Sequence, residues 1–162
     1  MRFRHSYNPE FFEDPDRIRE VIRKTTRKLS VIKDQFESIA FRGTSGAMVA
    51  PAVAALLKKH ITLVRKDDEH HADQTVEGAL DCNYVIVDDF ITSGDTVITI
   101  QWRINAASPL SKCVGILEWR YNDLHQKGGT KYQQYFVQFA QQQEPDQAES
   151  QKWQPKLLAL TN

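Results

Sequence analysis

The sequence is most informative first for what it lacks. Neither sign of charge is in excess, because 21 Lys and Arg balance 21 Asp and Glu. A protein built for non-specific nucleic-acid binding shows a basic excess, and none exists overall. Basic residues do crowd one region, at Arg17, Arg19, Arg23, Lys24, Arg27, Lys28 and Lys33. Cysteine is scarce: Cys82 and Cys113 stand alone, with no metal-ligand spacing. That excludes a disulfide framework and points to two free, partly buried thiols in a reducing compartment. No apolar run approaches the roughly 20 residues needed to span a membrane. The first residues, MRFRHSYNPEFFEDP, contain no apolar secretion-signal core. A soluble, cytoplasmic protein is therefore expected. No glycine is followed by Lys-Ser or Lys-Thr, so there is no Walker phosphate loop. Internal repeats are absent too. The 162 residues suit one domain spanning 1–162, large enough to bury a core without covalent staples.

What is present alternates in period. Asp14-Pro15-Asp16 reads as a helix start. Ile18, Val21, Ile22, Thr25, Leu29 and Ile32 then recur at three- and four-residue steps, predicting an amphipathic helix to about Lys33. Residues 36–42 form a short apolar run expected to be a strand, and residues 43–46 break it. Residues 47–59 are rich in alanine and leucine and end in lysines, as a helix C-terminus prefers. Residues 61–65 are a second candidate strand, and residues 66–81 read as a mobile polar loop. Residues 84–87 give a third strand, 95–106 a helix and 112–119 a fourth strand. This alternation predicts an α/β fold: a Rossmann-like parallel sheet with helices on its faces. Residues 135–139 suggest a further strand, and residues 141–152 an exposed polar turn.

The segment VIVDDFITSGDT, residues 85–96, carries the chemistry. A buried strand runs into adjacent carboxylates, Asp88 and Asp89. A short loop, Thr92-Ser93-Gly94-Asp95-Thr96, then leads into a helix. Ligands of parallel sheets bind beyond the carboxyl ends of the strands. Gly94 allows close backbone approach, and Thr92, Ser93 and Thr96 offer hydroxyls. The helix start offers N–H groups and a positive dipole end. Asp95 would repel a phosphate and is expected to point away and cap the helix. A phosphate beside two vicinal hydroxyls fits such a site and describes a ribose 5-phosphate. The same residues also fit an ordinary strand–turn–helix.

VIVDDFITSGDT resembles the phosphoribosyl pyrophosphate motif of the type I phosphoribosyltransferases: hydrophobic strand, two acids, two apolar residues, then a Thr/Ser-Gly-x-Thr loop. The order of elements over residues 36–119 is similar to that family's core. The resemblance implies that Asp88 and Asp89 hold the ribose hydroxyls and that Thr92, Ser93, Gly94, Asp95 and Thr96 form the 5′-phosphate loop. FRGTSG, residues 41–46, resembles the family's pyrophosphate loop, so Arg42 and Gly43 would face the diphosphate. An ordinary glycine turn fits these residues as well. A GxxG clamp of the RNA-binding type fits them too, although the neighbouring elements do not suit that module.

LVRKDDEHHADQ, residues 63–74, resembles the orotate branch of the family. There Arg65, Lys66 and a loop histidine would serve the departing diphosphate. His71 has the matching spacing and His70 is adjacent, while Glu69 stands where that branch tends to carry lysine. The implied reaction transfers ribose 5-phosphate from phosphoribosyl pyrophosphate to a nucleobase. Mg²⁺ is the implied cofactor, held mainly by substrate oxygens near Asp88 and Asp89, in a homodimer. Several purine-using members carry aspartate where this chain has Thr92, so an orotate-like pyrimidine is slightly favoured. A small hood over the base would come from residues 1–33, residues 121–162 or both, around a core of about 34–120. Tyr135, Phe136 and Phe139 would stack on the base or fill a minor core. The alternative is a regulatory protein on the same fold that senses phosphoribosyl pyrophosphate or nucleotides, or binds RNA. A nucleotide binder without transferase activity is a third reading.

Overall fold

Asp14 opens the first helix. Its extended backbone (φ −119°) lets the side chain accept the Asp16 N–H at 2.9 Å, and Pro15 follows in the first turn. In this computed structural model, which describes residues 14–66, 74–127 and 136, α1 spans Pro15–Ser30. The periodic stripe expected to reach Lys33 ends sooner. Val31 caps the helix, and a short 3₁₀ turn, Lys33–Gln35, brings the chain to the sheet.

Six strands follow: β1 (Ser38–Arg42), β2 (His60–Val64), β3 (Val76–Gly78), β4 (Asn83–Asp88), β5 (Lys112–Glu118) and β6 (Asp123–Gln126). Their order across the sheet is β3-β2-β1-β4-β5-β6. The four inner strands are parallel, as expected, but β3 and β6 pair antiparallel at the two edges. The sheet is therefore mixed rather than wholly parallel. β3 lies within residues 66–81, which the sequence presents as a loop. Only Val76 of that strand is buried, so no apolar alternation marks it. Its register is imposed by β2, with Val64 paired to Val76 and Thr62 to Gly78. A hydroxyl chain reinforces this edge: Ser38 donates to Thr62 at 2.6 Å, and Thr62 spends its single proton on the Ala79 carbonyl at 2.7 Å. β6 was equally hidden, because DLHQ is polar and pairs only after the tight turn at Asn122 (φ +52°).

Residues 43–46 end β1 as expected, and they do so by starting a short helix, α2 (Gly43–Ala47), so the helical stretch expected from residue 47 begins early. It is interrupted before α3 (Ala50–Leu57), which takes Pro51 in its first turn. The last helix is α4 (Asp95–Ala107).

Strand alternation sorts the core into two layers. Ile39, Phe41, Val85, Val87, Leu117 and Trp119 pack with Val21 and Leu29 of α1 and with Val53 and Ala54 of α3. Ala40, Tyr84, Ile86 and Ile116 pack on the other side with Val97, Ile100 and Ile104 of α4. β4 lies at the centre and is buried on both faces, which explains its uninterrupted apolar run. Phe136 is 6% exposed and packs in the α4 layer, which supports the core reading of that residue. Tyr135 and Phe139 lie outside the described residues, as do the expected strand at 135–139, the turn at 141–152 and most of the proposed hood.

Ile100 is fully buried on α4, and alanine is the strongest helix former, so Ile100→Ala isolates the packing contribution. Chemical denaturation should show a loss of about 2–5 kcal/mol. The control Val31→Ala, at an 80% exposed position, should change stability by less than about 0.5 kcal/mol.

Candidate functional site

Strand order changes direction between β1 and β4. The connection from β1 leads toward β2 on one side, while β4 leads toward β5 on the other. Such a switch point leaves a crevice beyond the strand ends. A cavity of about 550 Å³ occupies this place. Its wall includes Arg42, Gly43, Thr44, Ser45 and Met48 from the end of β1, Lys66 from the end of β2, and the continuous run from Asp88 to Val97.

Asp88 ends β4 at 5% exposure, and Asp89 follows at 4%. Two adjacent carboxylates so deeply buried are costly, and the surroundings show how the cost is limited. The Ser45 hydroxyl donates to Asp88 Oδ1 at 2.9 Å, and the Asp89 N–H donates to the same oxygen at 3.0 Å. These bonds only partly offset desolvation. Burial first, and then the charge of Asp89, push the Asp88 carboxyl up to about 7. β5 locks the backbone of the pair in place: Trp119 N–H donates to the Asp88 carbonyl at 2.9 Å and Arg120 N–H to that of Asp89 at 3.0 Å.

The turn that follows is shaped by Gly94. Its φ of +82° is a left-handed conformation that glycine adopts without strain, and it forms the N-cap of α4. Asp95, expected to cap the helix, is instead its first residue and accepts from the Ser93 hydroxyl at 2.8 Å. The Ser93 proton is thereby directed to Asp95, and Thr92 and Thr96 line the cavity on either side of it. Gly94 supplies no side-chain cap; the Asp95 N–H reaches the Ser93 hydroxyl at 3.4 Å, and the N-terminal turn of the 13-residue helix borders the cavity.

The opposite wall is positive. Gly43 has φ +66°, and a Cβ there would meet Lys66 Cε at 2.7 Å, so the lysine chain lies directly over the glycine. At Gly46 a Cβ would fall 2.6 Å from Phe41 Cβ, which explains how α2 can press against β1. The Trp119 indole N–H donates to the Ser45 carbonyl at 3.2 Å and fixes this loop from β5. Arg42 also borders the cavity and donates to the Arg65 carbonyl at 3.4 Å.

The cavity thus gathers Arg42, Gly43, Lys66, Asp88, Asp89 and residues 92–96. It does not include Arg65, whose guanidinium pairs with Glu77 across the β2–β3 hairpin at 2.7 Å. His71, His70 and Glu69 lie outside the described residues. Ser45 was missed as a contributor: it stands inside FRGTSG, but nothing local announces that its hydroxyl reaches across to Asp88.

No family model matches the chain, and no curated relative does. Solved structures do. UMP synthase of Leishmania donovani superposes with TM-score 0.53 at 19% identity, over 66% of this chain and 23% of that one. Orotate phosphoribosyltransferase of Aeropyrum pernix gives 0.53 at 15%, over 70% and 65%. Adenine phosphoribosyltransferase of Thermoanaerobacter pseudethanolicus gives 0.51 at 16%, over 65% and 69%. The match therefore spans under a quarter of the UMP synthase. The chain has the α/β fold of the type I phosphoribosyltransferases, a six-stranded sheet with flanking helices.

The raised Asp88 carboxyl makes stability depend on pH in a defined direction. Below about pH 4 the group is protonated whether the chain is folded or not. Above that, the unfolded chain releases the proton while the folded chain keeps it until about 7. Stability therefore falls as pH rises through this window and then levels off. Asp88→Asn keeps an oxygen for Ser45 and removes the ionisation. Thermal melts without ligand should show the variant close to wild type near pH 4 and more stable above pH 7, by about 1–3 kcal/mol. An unchanged gap across that range would contradict the assignment.

Proposed function

We propose that this protein is a phosphoribosyltransferase, transferring ribose 5-phosphate from phosphoribosyl pyrophosphate to a nucleobase with release of pyrophosphate. One observation carries the reading: a buried carboxylate pair and a hydroxyl-lined helix start face one cavity, with Arg42 and Lys66 on its far wall. Ionised carboxylates accept hydrogen bonds, as vicinal ribose hydroxyls require. The 92–96 turn and the N-terminus of α4 suit a 5′-phosphate a few atoms away. The cationic wall suits the diphosphate on the other side of the sugar.

In this mechanism the donor's C1–O bond breaks as its anomeric carbon gains oxocarbenium character and negative charge builds on the leaving diphosphate. Lys66, Arg42 and the backbone at Gly43 stabilise that charge. Asp88 and Asp89 fix the ribose, so that the ring nitrogen of the base meets C1 along the axis of departure. The base nitrogen forms the new bond to C1 and gives up its proton, which the departing pyrophosphate takes as it leaves. Mg²⁺ would supply further charge neutralisation, held mainly by diphosphate and ribose oxygens. The hard oxygen donors of Asp88 and Asp89 suit such an ion, and a cation beside them would relieve the repulsion evident in Asp88. Among the described residues the one cluster of three potential metal-ligating side chains is Glu118, Asp123 and His125, and it does not border the cavity. Thr92, where several purine-using members carry aspartate, favours a pyrimidine acceptor of the orotate kind.

A second reading, a sensor of the same donor or an RNA-binding regulator, draws on α1. Arg19, Arg23 and Arg27 recur at four-residue steps along a groove that also contains Ile22 and Leu56. Affinity for RNA at such a row would fall steeply with salt.

Pyrophosphate release should be measured with phosphoribosyl pyrophosphate, Mg²⁺ and a panel of pyrimidine and purine bases. Release with one base class is expected. Donor binding with no release from any base would replace the enzyme reading with the sensor reading. The double variant Asp88→Asn with Asp89→Asn should lose donor binding in calorimetry. Donor affinity should also rise with pH, because ribose hydroxyls need the ionised form of Asp88. The expected gain is roughly tenfold per unit below about pH 7, with a plateau above it.

A further inference from the structure

The loop between the acid pair and the phosphate turn is held at its midpoint by a side chain from the neighbouring strand. Glu118 ends β5 and is 3% exposed. Its Oε1 accepts the Ile91 N–H at 2.7 Å, and its Oε2 meets His125 Nε2, also at 2.7 Å. His125 belongs to β6 and is 4% exposed. The ladders pair Asp88 with Glu118 and Ile116 with His125. Glu118 therefore sits directly beside the first ribose carboxylate, and His125 is its diagonal neighbour on the same face. A hydrogen bond thus joins the Glu118 carboxyl to Nε2 of the His125 ring. Asp123 Oδ2 lies 3.9 Å from the same nitrogen, beyond hydrogen-bond distance.

The backbone explains why a side chain is needed here. The Trp119 and Arg120 N–H groups reach the carbonyls of Asp88 and Asp89, and the chain then turns away into β6. Among the described residues no strand continues beside Ile91, and Glu118 extends the pairing to that residue. A fold seeking stability alone would do as well with apolar residues replacing both Glu118 and His125, because a buried polar pair is costly to desolvate.

We propose that Glu118 and His125 are positioning residues for the phosphate turn. Together they fix Ile91, and through it the spacing between the Asp88–Asp89 pair and the Thr92–Thr96 turn. The proposal rests on the donor-site reading of the cavity and extends that site to the edge of the sheet.

The test uses the full chain and two readouts: amide exchange at Ile91 by NMR without ligand, and affinity for phosphoribosyl pyrophosphate with Mg²⁺ by calorimetry. Glu118→Gln retains an oxygen for Ile91 and should keep slow exchange and near wild-type affinity. Glu118→Leu should speed Ile91 exchange and weaken donor binding roughly tenfold or more, the loss of a hydrogen bond to a charged group, and should also lower the melting temperature, because the buried His125 ring loses its partner. Rescue of both readouts by Gln, with the faster exchange in Glu118→Leu confined to the 89–96 loop rather than spread over the sheet, distinguishes positioning from simple structural support. If Glu118→Leu does not fold, His125→Phe decides: faster Ile91 exchange and weaker binding support the proposal, and wild-type values overturn it. Wild-type affinity in Glu118→Leu removes the positioning role alone. A wild-type protein that takes no donor removes the donor reading, and the positioning role with it.

Discussion

Two carboxylates cannot be buried side by side without support, and much of the architecture around the cavity can be understood as that support. Asp88 and Asp89 stand at the end of the most deeply buried strand, where water is largely excluded. Their backbone is held by β5, one side chain is held by Ser45, and the loop carrying Ser45 is held in turn by the Trp119 indole. Each bond restrains geometry, yet the raised Asp88 carboxyl shows that repulsion and desolvation are not cancelled. The residual strain is electrostatic and sits in the ligand-free protein. A ligand that brings hydroxyl donors, or a cation, into the cavity relieves it on binding, which is how a destabilising feature of a fold becomes affinity at a site.

The two halves of the cavity depend on different parts of the sheet. The acidic floor belongs to the end of β4, and the cationic wall to the ends of β1 and β2. The parallel register of the four inner strands brings these ends to one side. A simple anion would be repelled by the floor, and a simple cation by Arg42 and Lys66. A ligand with hydroxyls in the middle and anionic groups at two ends satisfies both halves at once. This double requirement is more selective than a helix N-terminus alone, since helix starts accept many anions.

The sequence made the centre of the molecule legible and its margins opaque. The unbroken run at residues 84–87 marked β4, and its periodic neighbours marked α1, β1, β2, α4 and β5 to within a few residues. The turn at residues 92–96 was legible as the entry to a helix because it combines a glycine, hydroxyls and a helix start within five residues, all local features. β3 and β6 were not legible, because an edge strand takes its register from its neighbour and needs little apolar pattern of its own. Residues 43–46 were legible as the end of β1 but not as the start of a helix. Glycines usually interrupt helices, but here Gly43 supplies the turn into α2 and Gly46 allows its close packing on Phe41.

The features that escaped the sequence share one property: they join residues distant in the chain. Ser45 reaches Asp88 across 43 positions, and Trp119 reaches Ser45 across 74. Neither residue lies in a motif that specifies its partner. Arg65 shows the converse. Its place after a strand and before Lys66 suggested a role at the diphosphate, but the same strand end pairs with β3, and Glu77 there lies within 2.7 Å of the guanidinium. Two adjacent basic residues at a strand end point to opposite sides, so only one of them can readily serve the cavity. Lys66 occupies that side, over Gly43, while Arg65 braces the hairpin from which the lysine extends.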